Sequence, residues 1–237
     1  MRIAIYTLTR DRLDYTKHCF QQLKDRAGIE YDHYVVDNGS EDGTQDWLVE
    51  NKKLYNIKHL ILNTTNQGIS KASNQALEAI FSVHNQTENL NYDLVIKMDN
   101  DCEVLSPNML GQVAEIFQDI KNRPFDSVYV LSPFAEGINK QPTRGGATMK
   151  GGRQIGLTAI IGGLFHIVPG EMYRGYRYPE HLPKAWGQDD HFCDWVKKNG
   201  GQVGYIEGLK VNHYETTAGQ AQRYPEYFTR KHEEEKQ

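Results

Sequence analysis

Short apolar runs bounded by polar turn residues alternate, through the first hundred positions, with longer stretches in which apolar residues recur every three or four places. The short runs predict strands over 2–8, 31–36, 57–62 and 92–98, and the longer ones predict helices over 13–24, 44–50 and 70–83. Strict alternation of the two predicts an α/β chain with a parallel sheet flanked by helices. Beyond residue 100 the pattern loosens. A helix is predicted over 108–120, with Ser106-Pro107 as its cap and first turn. A strand near 127–131 leads into a glycine-rich, basic passage over 136–156, which reads as a loop carrying Arg144, Lys150 and Arg153. A strand over 157–168, an aromatic loop over 173–186, a helix over 189–198 and short strands at 204–206 and 210–212 follow, before a charged, solvated tail.

Composition narrows the class. The 237 residues are 38% hydrophobic and 24% charged, which suits one large or two small soluble domains able to bury a sizeable core. A net charge of −4 gives no overall attraction to nucleic acid. Cys19, Cys102 and Cys193 lack paired or zinc-type spacing, so they read as small buried hydrophobes in a reducing compartment. The most apolar segment, 158–168, is broken by Gly162-Gly163 and falls short of the roughly 20 apolar residues that cross a bilayer, so a cytoplasmic protein is expected. The turn after the first strand, Thr7-Leu8-Thr9-Arg10-Asp11-Arg12, is not the Gly-x-Gly-x-x-Gly of a nicotinamide-binding fold.

The chemistry concentrates where strands end, which is the edge of an open α/β sheet at which ligands sit. Asp99-Asn100-Asp101 closes the strand over 92–98; two carboxylates one residue apart suit a divalent cation holding a diphosphate, and the same residues are also ordinary turn chemistry. Asp37-Asn38-Gly39-Ser40-Glu41-Asp42-Gly43-Thr44 closes the second strand. Asp42-Gly43-Thr44 can cap the next helix, while Asp37 aims a carboxylate at the ligand edge. Asn66-Gln67-Gly68 precedes a helix whose amino terminus favours an anion. Gly162-Gly163 reads either as a strand bulge or as a place where a ligand comes close to the backbone.

In these residues the chain resembles the inverting, family-2-like glycosyltransferases with the GT-A fold. The likeness runs in order through Thr7-Leu8-Thr9-Arg10, the segment from Val36 to Thr44, Asn66-Gln67-Gly68, Asp99-Asn100-Asp101 in the place of an Asp-x-Asp motif, Trp186-Gly187-Gln188-Asp189-Asp190 and His213. It implies a Rossmann-like mixed, mainly parallel sheet in a single GT-A domain, with residues 1–102 as the nucleotide-sugar half and 103–237 as the acceptor-binding and catalytic half. It implies that Asp37 meets uracil, that Thr7, Thr9 and Arg10 line the base and ribose pocket with Asn66, Gly68 and Asn100 nearby, and that Asp99 lies near ribose and metal. Asp101 and His213 would complete a Mn²⁺ or Mg²⁺ site. Asp189 or its neighbour Asp190 would take the acceptor's proton, with Gly163 and Trp186 at the acceptor.

The family's usual Glu-Asp is Gln188-Asp189 here, which leaves the acceptor class open: a saccharide or glycan by default, with protein or nucleic acid as alternatives. The expected donor is a UDP-sugar and the expected reaction is metal-dependent transfer with inversion. The competing readings are a non-catalytic sugar-nucleotide or glycan-binding module, and a sugar nucleotidyltransferase. The latter would carry a glycine-rich, lysine-containing loop where Thr7 to Arg12 stands.

Overall fold

The computed structural model describes residues 1–82, 91–122, 128–136, 146–184 and 186–234. The first half follows the predicted alternation: β1 (Ile3–Thr9), α1 (Leu13–Arg26), β2 (Asp32–Asn38), α2 (Thr44–Glu50), β3 (Ile57–Asn63), α3 (Gly68–Ile80) and β4 (Leu94–Met98). Then come β5 (Cys102–Val104), α4 (Met109–Lys121), β6 (Tyr129–Glu136), a hairpin of β7 (Gly146–Lys150) and β8 (Arg153–Leu157), and β9 (Phe165–Pro169). The chain continues through α5 (Gly170–Arg174), α6 (Gln188–Lys198), β10 (Gln202–His213), α7 (Thr217–Arg223) and α8 (Pro225–Glu234).

Among the described residues the strands form one sheet in the order β3-β2-β1-β4-β9-β6-β10-β8-β7, with β5 paired to β10. Strands β3, β2, β1 and β4 are mutually parallel, whereas β9 runs antiparallel to both β4 and β6. Strand alternation sends successive side chains to opposite faces. Ile3 and Ile5 therefore join the core under α1 and α4, with Phe20, Leu23 and Val113, and Ala4 and Tyr6 join the core under α3 and α6, with Leu77 and Phe192. Each fully buried Ile, Leu or Phe of this kind contributes roughly 1.5–3 kcal/mol. All three cysteines are buried and unpaired.

Several expectations change. The passage over 136–156 is in its described part a hairpin carrying Lys150 and Arg153, because Gly151 and Gly152 both take the positive φ that a tight turn needs; Arg144 and Ser127 lie outside the described residues, as does Val83 at the end of the predicted third helix. The predicted strand over 157–168 is β9 alone, preceded by an irregular segment through Gly162 and Gly163. Ser106 does not cap α4: its hydroxyl accepts from the Lys210 N–H at 2.9 Å, and Asn108 holds the cap position. The two short strands at 204–206 and 210–212 are one strand, β10, with an irregularity between Ile206 and Lys210. The tail is helical in α7 and α8. No helix of the described residues is long and apolar enough to cross a membrane.

Candidate active site

The carboxyl ends of β1, β2, β3 and β4 open onto a cavity of about 280 Å³. Thr9 and Arg10 line it from the end of β1 and the turn that follows, Asn38 from the end of β2, Asn66 from the turn after β3, and Asp99, Asn100 and Asp101 from the turn after β4. His213, at the end of β10, lines it too. Segments far apart in sequence thus meet because every parallel strand ends on the same edge.

The local structure explains each turn. Asp11 and Arg12 both adopt left-handed backbone, with φ of 48° and 56°. That geometry costs an L-residue roughly 1–3 kcal/mol and persists where its surroundings fix it. Here the turn after β2 holds it: the Asp11 N–H donates to the Ser40 hydroxyl at 2.7 Å and the Asp11 carboxylate accepts from the Glu41 N–H at 2.8 Å, while one oxygen of Asp42 accepts from the Leu13 N–H at 2.8 Å and the other from the N–H and hydroxyl of Thr44. One side chain so ties the starts of α1 and α2. Gly39, at φ 81°, lies against the Thr65 backbone, where an added Cβ would approach within 2.8 Å. Asn38 and Asn66 are hydrogen-bonded to each other at 2.8 Å, and the Asn66 side chain accepts from the Gly68 N–H at 2.9 Å, which sets the start of α3.

Asp37 does not line the cavity. It is fully buried, and its oxygens accept from the hydroxyl of Thr9, the N–H and hydroxyl of Ser40 and the amide of Gln45, at 2.5–2.9 Å. Thr7 is likewise buried, with its hydroxyl 3.0 Å from His33 Nε2. These two residues brace the wall from behind, whereas Thr9, its hydroxyl given to Asp37, and Arg10 line the space.

The pair Asp99 and Asp101 is set differently, because a buried cation meets each carboxylate. Lys97 Nζ donates to Asp99 Oδ1 at 2.6 Å, and Arg12 Nη1 donates to Asp101 Oδ2 at 3.1 Å. Burial alone would lower the Lys97 pKa, but Asp99 and Asp189 hold it above the ordinary lysine value. Burial likewise works to raise Asp101, yet Arg12 and His213 keep its carboxyl below the usual range and ionised. Desolvation, helped by the charge on Asp101, raises Asp99 against the pull of Lys97; its side chain is 39% exposed, so solvent tempers the shift. Arg12 also donates to the side-chain oxygens of Asn100 and Gln220, at 3.1 and 2.8 Å, and lies over the ring of Tyr227.

Lys97 connects this cavity to the second half of the chain. Its ammonium donates to the Gly163 carbonyl at 2.6 Å, and the Gly163 N–H donates to Asp189 Oδ2 at 2.7 Å. Gly163 is required for that approach: a Cβ there would lie 2.5 Å from Asp189 Oδ1 and 2.9 Å from Lys97 Nζ. Asp189 sits in the first turn of α6 and is partly buried, while Asp190 faces solvent. Gly187, at φ 88°, holds the helix cap, so Asp189 is not the cap residue. Trp186 is 64% exposed beside it, whereas Tyr173, Tyr176 and Tyr178 belong to the core. Asn74 is buried and anchors this loop by bonding both the N–H and the carbonyl of Tyr178.

Asp101 and His213 come together at the cavity. His213 Nε2 lies 3.5 Å from Asp101 Oδ2, and His213 Nδ1 is 2.5 Å from the Glu215 carbonyl. A ring nitrogen donating to a backbone carbonyl leaves the other nitrogen's lone pair for a metal, the usual outer-shell arrangement of a ligating histidine. Among the described residues no three His, Cys, Asp or Glu side chains surround one point. The pair therefore fits a cation whose other positions are taken by a ligand's oxygens and water.

The sequence did not single out Lys97, Arg12, Gln220, Tyr227, Lys184 or Lys231, although all but Lys97 line the cavity. Lys97 carried a signal, a charged residue inside the otherwise apolar run Leu94-Val95-Ile96-Lys97-Met98. The residues of α7 and α8 carried none.

The sequence model of Glycosyl transferase family 2 matches residues 4–123. No curated protein sequence matches the chain significantly. Among solved structures, S. aureus TarS 1-349 in complex with UDP-GlcNAc is similar with a TM-score of 0.64 and 15% identity, over 90% of this chain and 58% of that one. A Pyrobaculum calidifontis mannosyltransferase in complex with GDP-Man and Mn²⁺ gives 0.63 and 14%, over 92% of this chain and 58% of that one. GalNAc-T7 with UDP, GalNAc and Mn²⁺ gives 0.65 and 14%, over 90% and 43%. These likenesses show the GT-A fold. The chain spans 38% of the longer TarS structure and 63% of TarS 1-349, so it is shorter than the proteins it resembles.

Proposed function

The chain belongs to glycosyl transferase family 2, and from that premise we propose that it moves a sugar from a nucleoside-diphosphate sugar, a UDP-sugar first among them, to an acceptor hydroxyl with inversion. The observation that carries this reading is the relay from Asp99 through Lys97 and Gly163 to Asp189, which links the cavity to a carboxylate outside it. In-line displacement with inversion needs a base on the acceptor side and charge stabilisation on the leaving-group side. The relay sets Asp189, the base in this reading, in a fixed relation to the Asp99-Asn100-Asp101 turn, beside which the charge-stabilising cation would sit.

In this reading residues 1–102 hold the nucleotide and 103–237 supply the acceptor side and the base. Thr9, Arg10, Asn66 and Asn100 contact the donor; Asp37 and Thr7 set Thr9 and the strand end from behind, and Gly68 lets α3 start at the wall. Asp189 takes the proton of the acceptor hydroxyl, in preference to the solvent-facing Asp190. Trp186 offers the acceptor an exposed flat face, and the Gly163 peptide keeps Asp189 aimed. Asp101 and His213 would hold a divalent cation, Mn²⁺ suiting the imidazole better than Mg²⁺. When bound, such an ion supplies charge stabilisation to the departing diphosphate. A saccharide or glycan is the default acceptor.

The test is nucleotide release from a panel of UDP- and GDP-sugars, with wild type and Asp189→Asn compared. Turnover is expected to fall by about 10²–10⁴ in the variant while the nucleotide dissociation constant stays unchanged. Nucleotide binding without turnover by the wild type on any donor and acceptor would leave a binding module instead.

A further inference from the structure

Resting on the reading of Asp101 and His213 as a cation site, the geometry points to Arg12 as a charge gate. We infer that Arg12 holds Asp101 as an internal ion pair, so that the site takes up a divalent cation only together with a nucleoside diphosphate.

The argument starts from one oxygen. Asp101 Oδ2 is the atom that faces His213 Nε2 at 3.5 Å, and it already accepts from Arg12 Nη1 at 3.1 Å and from Gln220 Nε2 at 3.2 Å. A dication arriving between Asp101 and His213 must share that oxygen with a guanidinium. Arg12 cannot easily withdraw. Both Arg12 and Asp101 have side chains 10% exposed, and Arg12 is fixed by Asn100 and Gln220 and by the rings of Tyr15 and Tyr227. Like charges a few ångströms apart repel strongly at the effective dielectric of a protein surface, and a doubly charged ion doubles the effect.

The neighbouring charges leave no surplus to offset this repulsion. Asp99 is paired with Lys97, so the two acids of the motif meet two buried cations. The next acid along, Glu215, accepts from the neutral Tyr15 hydroxyl and keeps its charge, but it does not line the cavity. Lys184 and Lys231 add ammonium groups to the cavity wall. Before a ligand arrives, then, the electrostatics oppose a free dication and attract an anion. A diphosphate reverses the balance: its negative charge screens Arg12 from the metal and supplies the oxygens that the two protein donors leave out. Cation and nucleotide are therefore expected to bind with strong positive coupling, which is reciprocal by linkage.

Binding of Mn²⁺ to the full chain, read from the electron paramagnetic resonance signal of the free ion, tests this without any turnover. With wild type alone the free-ion signal is expected to remain, and addition of UDP or GDP is expected to remove one equivalent. Arg12→Gln is expected to bind Mn²⁺ without nucleotide at least about tenfold more tightly than wild type, while Arg12→Lys keeps the gate. Circular dichroism checks that each variant folds. If Arg12→Gln does not fold, the wild-type titration still decides, since uptake of one equivalent of Mn²⁺ in the absence of nucleotide overturns the gate. Uptake of the same Mn²⁺ by Arg12→Gln and wild type overturns it as well. Calorimetry separates the two levels: UDP or GDP binding that is indifferent to Mn²⁺ removes the cation site and the gate but leaves a donor pocket, whereas no nucleotide binding under any condition removes the reading on which both rest.

Discussion

The turn after β2 and the turn after β4 each present acid to the same sheet edge, and they satisfy it by opposite means. Asp37 is enclosed by neutral donors, Thr9, Ser40 and Gln45, whereas Asp99 and Asp101 are met by Lys97 and Arg12. Neutral donors that fully ring a carboxylate leave it nothing to offer a ligand; the β2 turn is a brace. Ion pairs leave other lone pairs at the cavity and make the local charge responsive to what arrives. The contrast teaches that an acid's place at a strand end does not set its role, and that the charge of its partners does.

Substitution of each acid by its amide should break that symmetry most plainly. Asp101→Asn strands a buried guanidinium and is expected to lower unfolding stability by about 3–5 kcal/mol. Asp37→Asn, which strands no charge, is expected to lower it by about 1–3 kcal/mol. Urea titrations of both variants read the difference, and equal losses would refute the distinction drawn between the two turns. A smaller effect belongs to the relay: Gly163→Ala places a Cβ against Asp189 Oδ1, so about 1–3 kcal/mol of stability and a larger share of kcat than of KM should go. Steady-state kinetics with saturating donor would detect it.

Acidification sharpens the comparison on the β2 side, where His33 lies under Thr7. Burial lowers the His33 pKa to about 3, and that of His166 to about 4. A histidine depressed in the folded state is protonated first in the unfolded chain, so its contribution to stability is complete above about pH 6.5 and is lost as pH falls toward the folded value. Each should add a slope that approaches about 1.4 kcal/mol per pH unit below pH 6.5, or about 1 kcal/mol between pH 6.5 and 5.5, and His33→Gln should remove one of the two. Denaturation at pH 6.5 and 5.5 suffices, and an unaltered slope in the variant would count against a neutral buried His33. The smallest effect is expected at Trp186, where 64% exposure means that Trp186→Ala changes stability by less than about 0.5 kcal/mol. Any large change in its kinetics would then report on the acceptor.

The first half of the fold was legible in the sequence because its signals are local. Short apolar runs, glycine at positive φ and an acid positioned to cap a helix each act within a few residues, so β1 to β4, their helices and the ligand edge of the sheet followed from the pattern alone. The motif acids were legible for the same reason. What only tertiary structure decided was the partner of each acid. Arg12 reaches Asp101 from the turn after β1, Gln220 reaches it from a helix the sequence left as a charged tail, and Gly163 meets Asp189 from a segment expected to be a strand. Those pairings join residues 26 to 119 positions apart, and no periodicity encodes a contact that arises only when separate strands end on one edge. The chain thus specifies by itself where its chemistry lies, and the packing of distant segments specifies with what charge.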